Sequence, residues 1–217
     1  MFISQIIHGK LGFGEFPDTD SIILVFDRDK EKISTSEATF LEVDSSPEAE
    51  DRVVFIGKNL LKRIDIPQLM DSEMEKLLKR LKHAKFKLTL VTSASVPIDY
   101  ELINKYFSEV IVIFSYIDVD PHSIYNDRRI KELKNIENIN FAFLIPNPFV
   151  DLQIMGLIQD FKINNYPIYL IPDGRSEKEI HRVYHEVQTI YDLIKSSPVK
   201  NLFISREKTI GDIFPSV

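Results

Sequence analysis

Residues 21–26 read Ser-Ile-Ile-Leu-Val-Phe (SIILVF). The run is short, unbroken by polar residues and rich in β-branched side chains. That pattern describes a strand buried on both faces rather than one with a wet side. Val53–Ile56, Leu88–Thr92, Val110–Phe114, Phe141–Ile145, Ile168–Ile171 and Leu202–Ile204 have the same character. Helical spacing fills the gaps between them. Ser72 and Glu75 have capping-box spacing, and Met74, Leu77, Leu78 and Leu81 follow on one face. Asp99 caps a segment carrying Leu102, Ile103, Tyr106 and Phe107, and Val150–Phe161 forms a third helix. Ser176 and Glu179 repeat the capping box ahead of a stripe running from Ile180 to Ile194. Strands alternating with helices predict βαβ units and a mainly parallel sheet of about six strands.

The exception is Asp27–Arg52, which reads as a long irregular loop within a single domain over residues 1–217, with strand character only at Thr39–Val43. Loops of that length in compact domains are usually functional or disordered. In parallel α/β folds the ligand site lies at the carboxyl ends of the strands, so the loops after Phe26, Ile56, Thr92, Phe114, Ile145 and Ile171 come first for inspection.

Composition sets further bounds. The formal net charge of −6 argues against a broad nucleic-acid footprint. There are no cysteines, hence no disulfides, thiolate metal ligands or thiol nucleophile. No apolar stretch reaches membrane-spanning length and no signal-peptide pattern opens the chain, so a cytoplasmic protein without membrane contact is expected.

Several constellations deserve weighing against plainer readings. Asp27 and Asp29 sit in a mixed-charge loop whose lysines would neutralise a cation site. Asp118, Asp120 and His122 alternate after the fourth apolar run, as metal ligands or proton carriers would on a continuing strand, or as any polar turn before Pro121 would. His181 and His185 share a helix face but flank an apolar stripe, which suits a solvated edge. Pro172, Asp173 and Gly174 form a turn between strand and helix, and Gly12 and Gly14 allow a tight turn or close backbone approach. No phosphate-loop, nucleophile-elbow or zinc-protease motif occurs.

In order along the chain, these motifs resemble those of the 7-carboxy-7-deazaguanine synthases, a radical-SAM family with an incomplete (β/α) barrel. Leu11-Gly12-Phe13-Gly14 falls where the family has Q-G-E-G. Asp29, Ile33 and Ser36 have the C-x₃-C-x₂-C spacing of the cluster loop, with Glu37 at the acidic position after it. Phe55–Asn59 lies near the G-G-E/N-P segment, Thr92 and Ser93 within the E-T-N/Q-G strand end, and Ser115 at the S-P-K strand end. Pro172-Asp173-Gly174 matches the P-E-G-like turn, and Asn201–Arg206 the last strand. The resemblance implies dimers, either of this chain alone or with an active relative. It also implies a barrel stripped of its chemistry, because three thiolates hold the [4Fe–4S] cluster and isoleucine has no ligand atom. No iron–sulfur cofactor is therefore expected. The expected role is a catalytically inactive, ligand- or partner-binding regulatory protein, with Gly12, Gly14, Thr92, Ser93, Ser115, Asp118 and Asp173 as candidate ligand-binding residues. A metal-dependent enzyme using Asp29, Asp118, Asp120 and Asp173 is the alternative, and a structural subunit without a small-molecule site is the third reading.

Overall fold

The structure is a computed structural model and describes residues 2–15, 17–27, 36–44, 52–57, 72–94, 100–115, 127–145, 151–172, 177–197, 199 and 201–205. In chain order the elements are β1 (Phe2–Lys10), β2 (Asp20–Asp27), α1 (Ser36–Asp44), β3 (Arg52–Gly57), α2 (Ser72–His83), β4 (Lys87–Thr92), α3 (Tyr100–Tyr106), β5 (Glu109–Ser115), α4 (Asp127–Leu133), β6 (Ile139–Ile145), α5 (Asp151–Asp160), β7 (Pro167–Pro172), α6 (Glu177–Lys195) and β8 (Asn201–Ile204).

All eight strands form one sheet in sequence order. β1 runs antiparallel to β2, and every later neighbour is parallel. The sheet does not close: β1 pairs only with β2 and β8 only with β7 among the described residues. This is the expected incomplete barrel, with eight strands where about six were expected; each of the seven apolar runs is a strand, and β1 is the eighth.

Side-chain alternation divides each strand between two cores. Leu24, Phe55, Leu90, Val112, Phe141 and Leu170 face outward and pack beneath the helices, against Leu78, Ile103, Leu157, Val187 and Ile194. Val25, Val54, Val91, Ile111, Ala142 and Ile171 face inward and make a second, separate core. With both faces covered, both sets of side chains are apolar through the middle of these strands, which is why SIILVF carries no alternation.

One expectation is corrected. Thr39–Val43 belongs to helix α1, not to a strand. Thr39 and Val43 are four apart, both are buried on the side facing α2, and Arg80 of α2 lies over the Phe40 ring at 5.5 Å. The segment Asp27–Arg52 is thus not loop throughout. β1 is an additional strand for which the sequence analysis made no assignment. A register shift between Ile3 and Gln5 breaks its alternation.

Candidate functional site

The inward-facing side chains at the amino ends of β3 to β6 are polar. Arg52 opens β3, Thr89 is the third residue of β4, Glu109 opens β5 and Asn140 is second in β6. Strand register brings them together, since Thr89 pairs directly with Glu109. Glu109 Oε2 accepts from Arg52 Nη2 at 2.8 Å and from the Thr89 hydroxyl at 3.1 Å. Its Oε1 accepts from Asn140 Nδ2 at 2.9 Å and from the Glu15 backbone N–H at 2.7 Å. Arg52 Nε donates to Thr89 Oγ1 at 3.1 Å, which closes the network. The Arg52 and Glu109 side chains are only 2% and 3% exposed. Burial pulls the Arg52 pKa down, and the adjacent Glu109 carboxylate opposes that pull. A carboxylate with four donors is a satisfied buried anion, the condition under which such burial is tolerated.

The turn after β1 seals this layer from below. Leu11 and Phe13 insert into the inner core, and the Gly12 N–H donates to the Pro17 carbonyl at 3.0 Å. Gly14 has φ of +91°, and a Cβ there would stand 2.7 Å from Glu109 Oε1 and 2.9 Å from Ile111 Cδ1. Glycine is required on both counts, by conformation and by contact.

Beside the turn, at the open edge of the barrel, lies a groove of about 710 Å³. The starts of β5 to β8 form its wall, and Gly12, Gly14 and Glu15 close one side. Tyr169 and Phe203, paired across β7 and β8, stack with ring centroids 5.1 Å apart and planes 21° from parallel. Phe203 remains 45% exposed because its strand is the sheet edge. Burial, followed by the negative charges of Glu109 and Glu15, pushes the Tyr169 pKa up to about 12. The groove can therefore offer stacking, hydrogen-bond acceptors and a negative field.

The described candidate residues lie at two opposite ends of the sheet. Gly12 and Gly14 line the groove at the amino end, because β1 is antiparallel and finishes where β2 begins. Thr92, Ser93 and Ser115 lie at the opposite, carboxyl ends of β4 and β5. A shared pocket under a carboxyl-end rim is thus not what the turn joins. Thr92 Oγ1 accepts the Ala94 N–H at 3.0 Å, Ser93 is buried, and the Ser115 backbone pairs with Leu144. Asp118, Asp120, His122 and Asp173 fall outside the described residues, as do Asp29 and Ile33, while Ser36 opens α1. His185 is exposed on α6. Among the described residues no group of three His, Asp or Glu side chains could hold a metal ion. The donor set at positions 29, 33 and 36 does not fit an iron–sulfur cluster, since this chain has no thiolate to offer.

Arg52, Glu109, Asn140 and Tyr169 escaped the sequence reading. Their signal was present in part: Arg52 and Glu109 each stand immediately before a β-branched run, at the same end of their strands.

The chain resembles Streptococcus suis SuiB bound to its precursor peptide SuiA, with a TM-score of 0.54, 12% identity, and coverage of 86% of this chain and 46% of that one. SuiB bound to S-adenosylmethionine matches with a TM-score of 0.52 and 13% identity, over 88% of this chain and 48% of that one. At this identity the likeness is one of fold: this chain shares the fold of these SuiB structures over most of its own length. The chain spans less than half the length of either structure. No protein family and no curated protein matches it by sequence.

Proposed function

We propose that this chain is a radical-SAM-like barrel without cluster chemistry that works as a binding protein, with the amino-end groove as its ligand site. The observation that carries the reading is the groove itself. A stacked aromatic pair, a buried asparagine and a glycine turn meet there at a solvent-open edge. Its volume is that of a small-molecule site, typically about 300–1,000 Å³. Two further features support the absence of catalysis. The cluster-loop positions carry Asp29, Ile33 and Ser36. The described barrel interior is packed with Ile23, Val54, Ile56, Ile111, Ile113 and Leu144, so binding inside it would first require displacing a dry core. The proposal extends to a regulatory role in deazaguanine metabolism and to pairing with a second copy or an active relative. Both extensions rest on the family resemblance alone.

Native mass spectrometry of the purified protein tests the reading. A bound small molecule is expected in the wild type and is expected to be lost in Phe203→Ser, a change at an exposed position that leaves the core alone. A ligand retained fully by that variant would place the binding surface elsewhere.

A further inference from the structure

Three carboxylates line the groove (Glu15, Glu109 and Glu137), and no lysine or arginine does so among the described residues. Arg52 lies behind the wall and is engaged by Glu109. Glu15 and Glu137 are both exposed at the rim, and the Glu15 charge also acts on the Arg52 guanidinium behind the wall. The aromatic pair supplies a flat apolar surface beside them. Asn140 adds a further acceptor: it is 8% exposed, and its amide nitrogen is held by Glu109, leaving its carbonyl oxygen on the groove wall.

We infer that the groove selects a small planar organic cation of the amidinium or guanidinium class, stacked on the exposed Phe203 ring that Tyr169 backs, with its charge met by Glu15 and Glu137. The inference rests on the groove being the ligand site and adds the chemical class. Each element answers one property of such a ligand. A delocalised planar cation is weakly hydrated and stacks readily on aromatic faces. Its N–H groups need acceptors, which the carboxylates and the Asn140 carbonyl provide. Phosphorylated metabolites and nucleic acid would meet like charge and, among the described residues lining the groove, no cation. The upward shift at Tyr169 arises first from burial, and the negative charges of Glu109 and Glu15 add to it.

The test is calorimetric titration of the intact chain with benzamidine and with benzamide, which has the same shape and no charge. Benzamidine is expected to bind saturably and at least about tenfold more tightly than benzamide. Glu15→Gln and Phe203→Ala should each weaken benzamidine about tenfold. Equal binding of benzamide, lost in Phe203→Ala, would overturn the charge selection and leave the groove as a ligand site. Benzamidine binding that ignores both variants would overturn the site and the inference together. Absence of saturable benzamidine binding would overturn the inference. Agmatine and a blocked arginine tripeptide separate the sources of a guanidinium. Tighter binding of agmatine supports a small molecule, and tighter binding of the peptide would overturn that assignment.

Discussion

Replacing Arg52 by methionine removes one half of the most buried ion pair described in the barrel. The Arg52 and Glu109 side chains are 2% and 3% exposed and stand 2.8 Å apart, so solvent screens neither. After the change Glu109 keeps the donors Thr89, Asn140 and the Glu15 N–H but loses its charged partner among the described residues. Breaking a buried pair from one side typically costs about 3–5 kcal/mol, because the surviving charge stays desolvated. For a chain of 217 residues that corresponds to a fall in Tm of roughly 6–20 °C. Methionine approximates the length of the arginine stem, so the cavity contribution stays small. Urea melts of wild type, Arg52→Met, Glu109→Gln and the double variant would read the effect. The double variant should lose less than the two single losses combined, with a coupling of about 2 kcal/mol or more. A single-variant loss under about 1 kcal/mol, or additive losses, would refute the reasoning that the pair is dry and mutually dependent.

Gly14→Ala should cost at least about 2 kcal/mol, since positive φ and a clash with backbone-anchored Glu109 act together; a chemical melt unchanged within error would contradict the tight approach. Phe13→Ala should cost about 3–5 kcal/mol by opening the floor of the inner core, again read in urea. Tyr169 provides a pH prediction. Its folded pKa of about 12 lies above the ordinary 10, so its contribution to stability is fully present below pH 10 and is lost as pH rises toward 12. Tyr169→Phe should show a smaller alkaline loss than wild type, and its phenolate absorbance titration should lack the step near pH 12.

The fold was legible because burial on both faces leaves strands no freedom of composition. SIILVF and its counterparts announce parallel strands, and the helical stripes at Met74–Leu81 and Ile180–Ile194 announce their cover. β1 was hidden because its single neighbour and its register shift leave it without a clean period. Helix α1 was hidden because Thr39 and Val43 favour strands by propensity, while packing against α2 decides their state. Helix ends were also unmarked. Two residues past the ends of α2 and α5 stand Lys85 and Lys162 at φ of 70° and 52°, positions where glycine would have been the cue. The site was less legible for a topological reason. The Gly12-Phe13-Gly14 turn could be recognised as special, but the end of the barrel it occupies depends on β1 being antiparallel. Glu109 and Arg52 are 57 residues apart, and only the strand register makes them partners.

Anaerobic reconstitution of the purified chain with iron and sulfide in the presence of S-adenosylmethionine tests the proposed loss of cluster chemistry most directly. No visible cluster absorbance and no cleavage of S-adenosylmethionine above the protein-free control are expected. A stoichiometric [4Fe–4S] signal held by this chain, or S-adenosylmethionine cleavage that depends on it, would contradict the account.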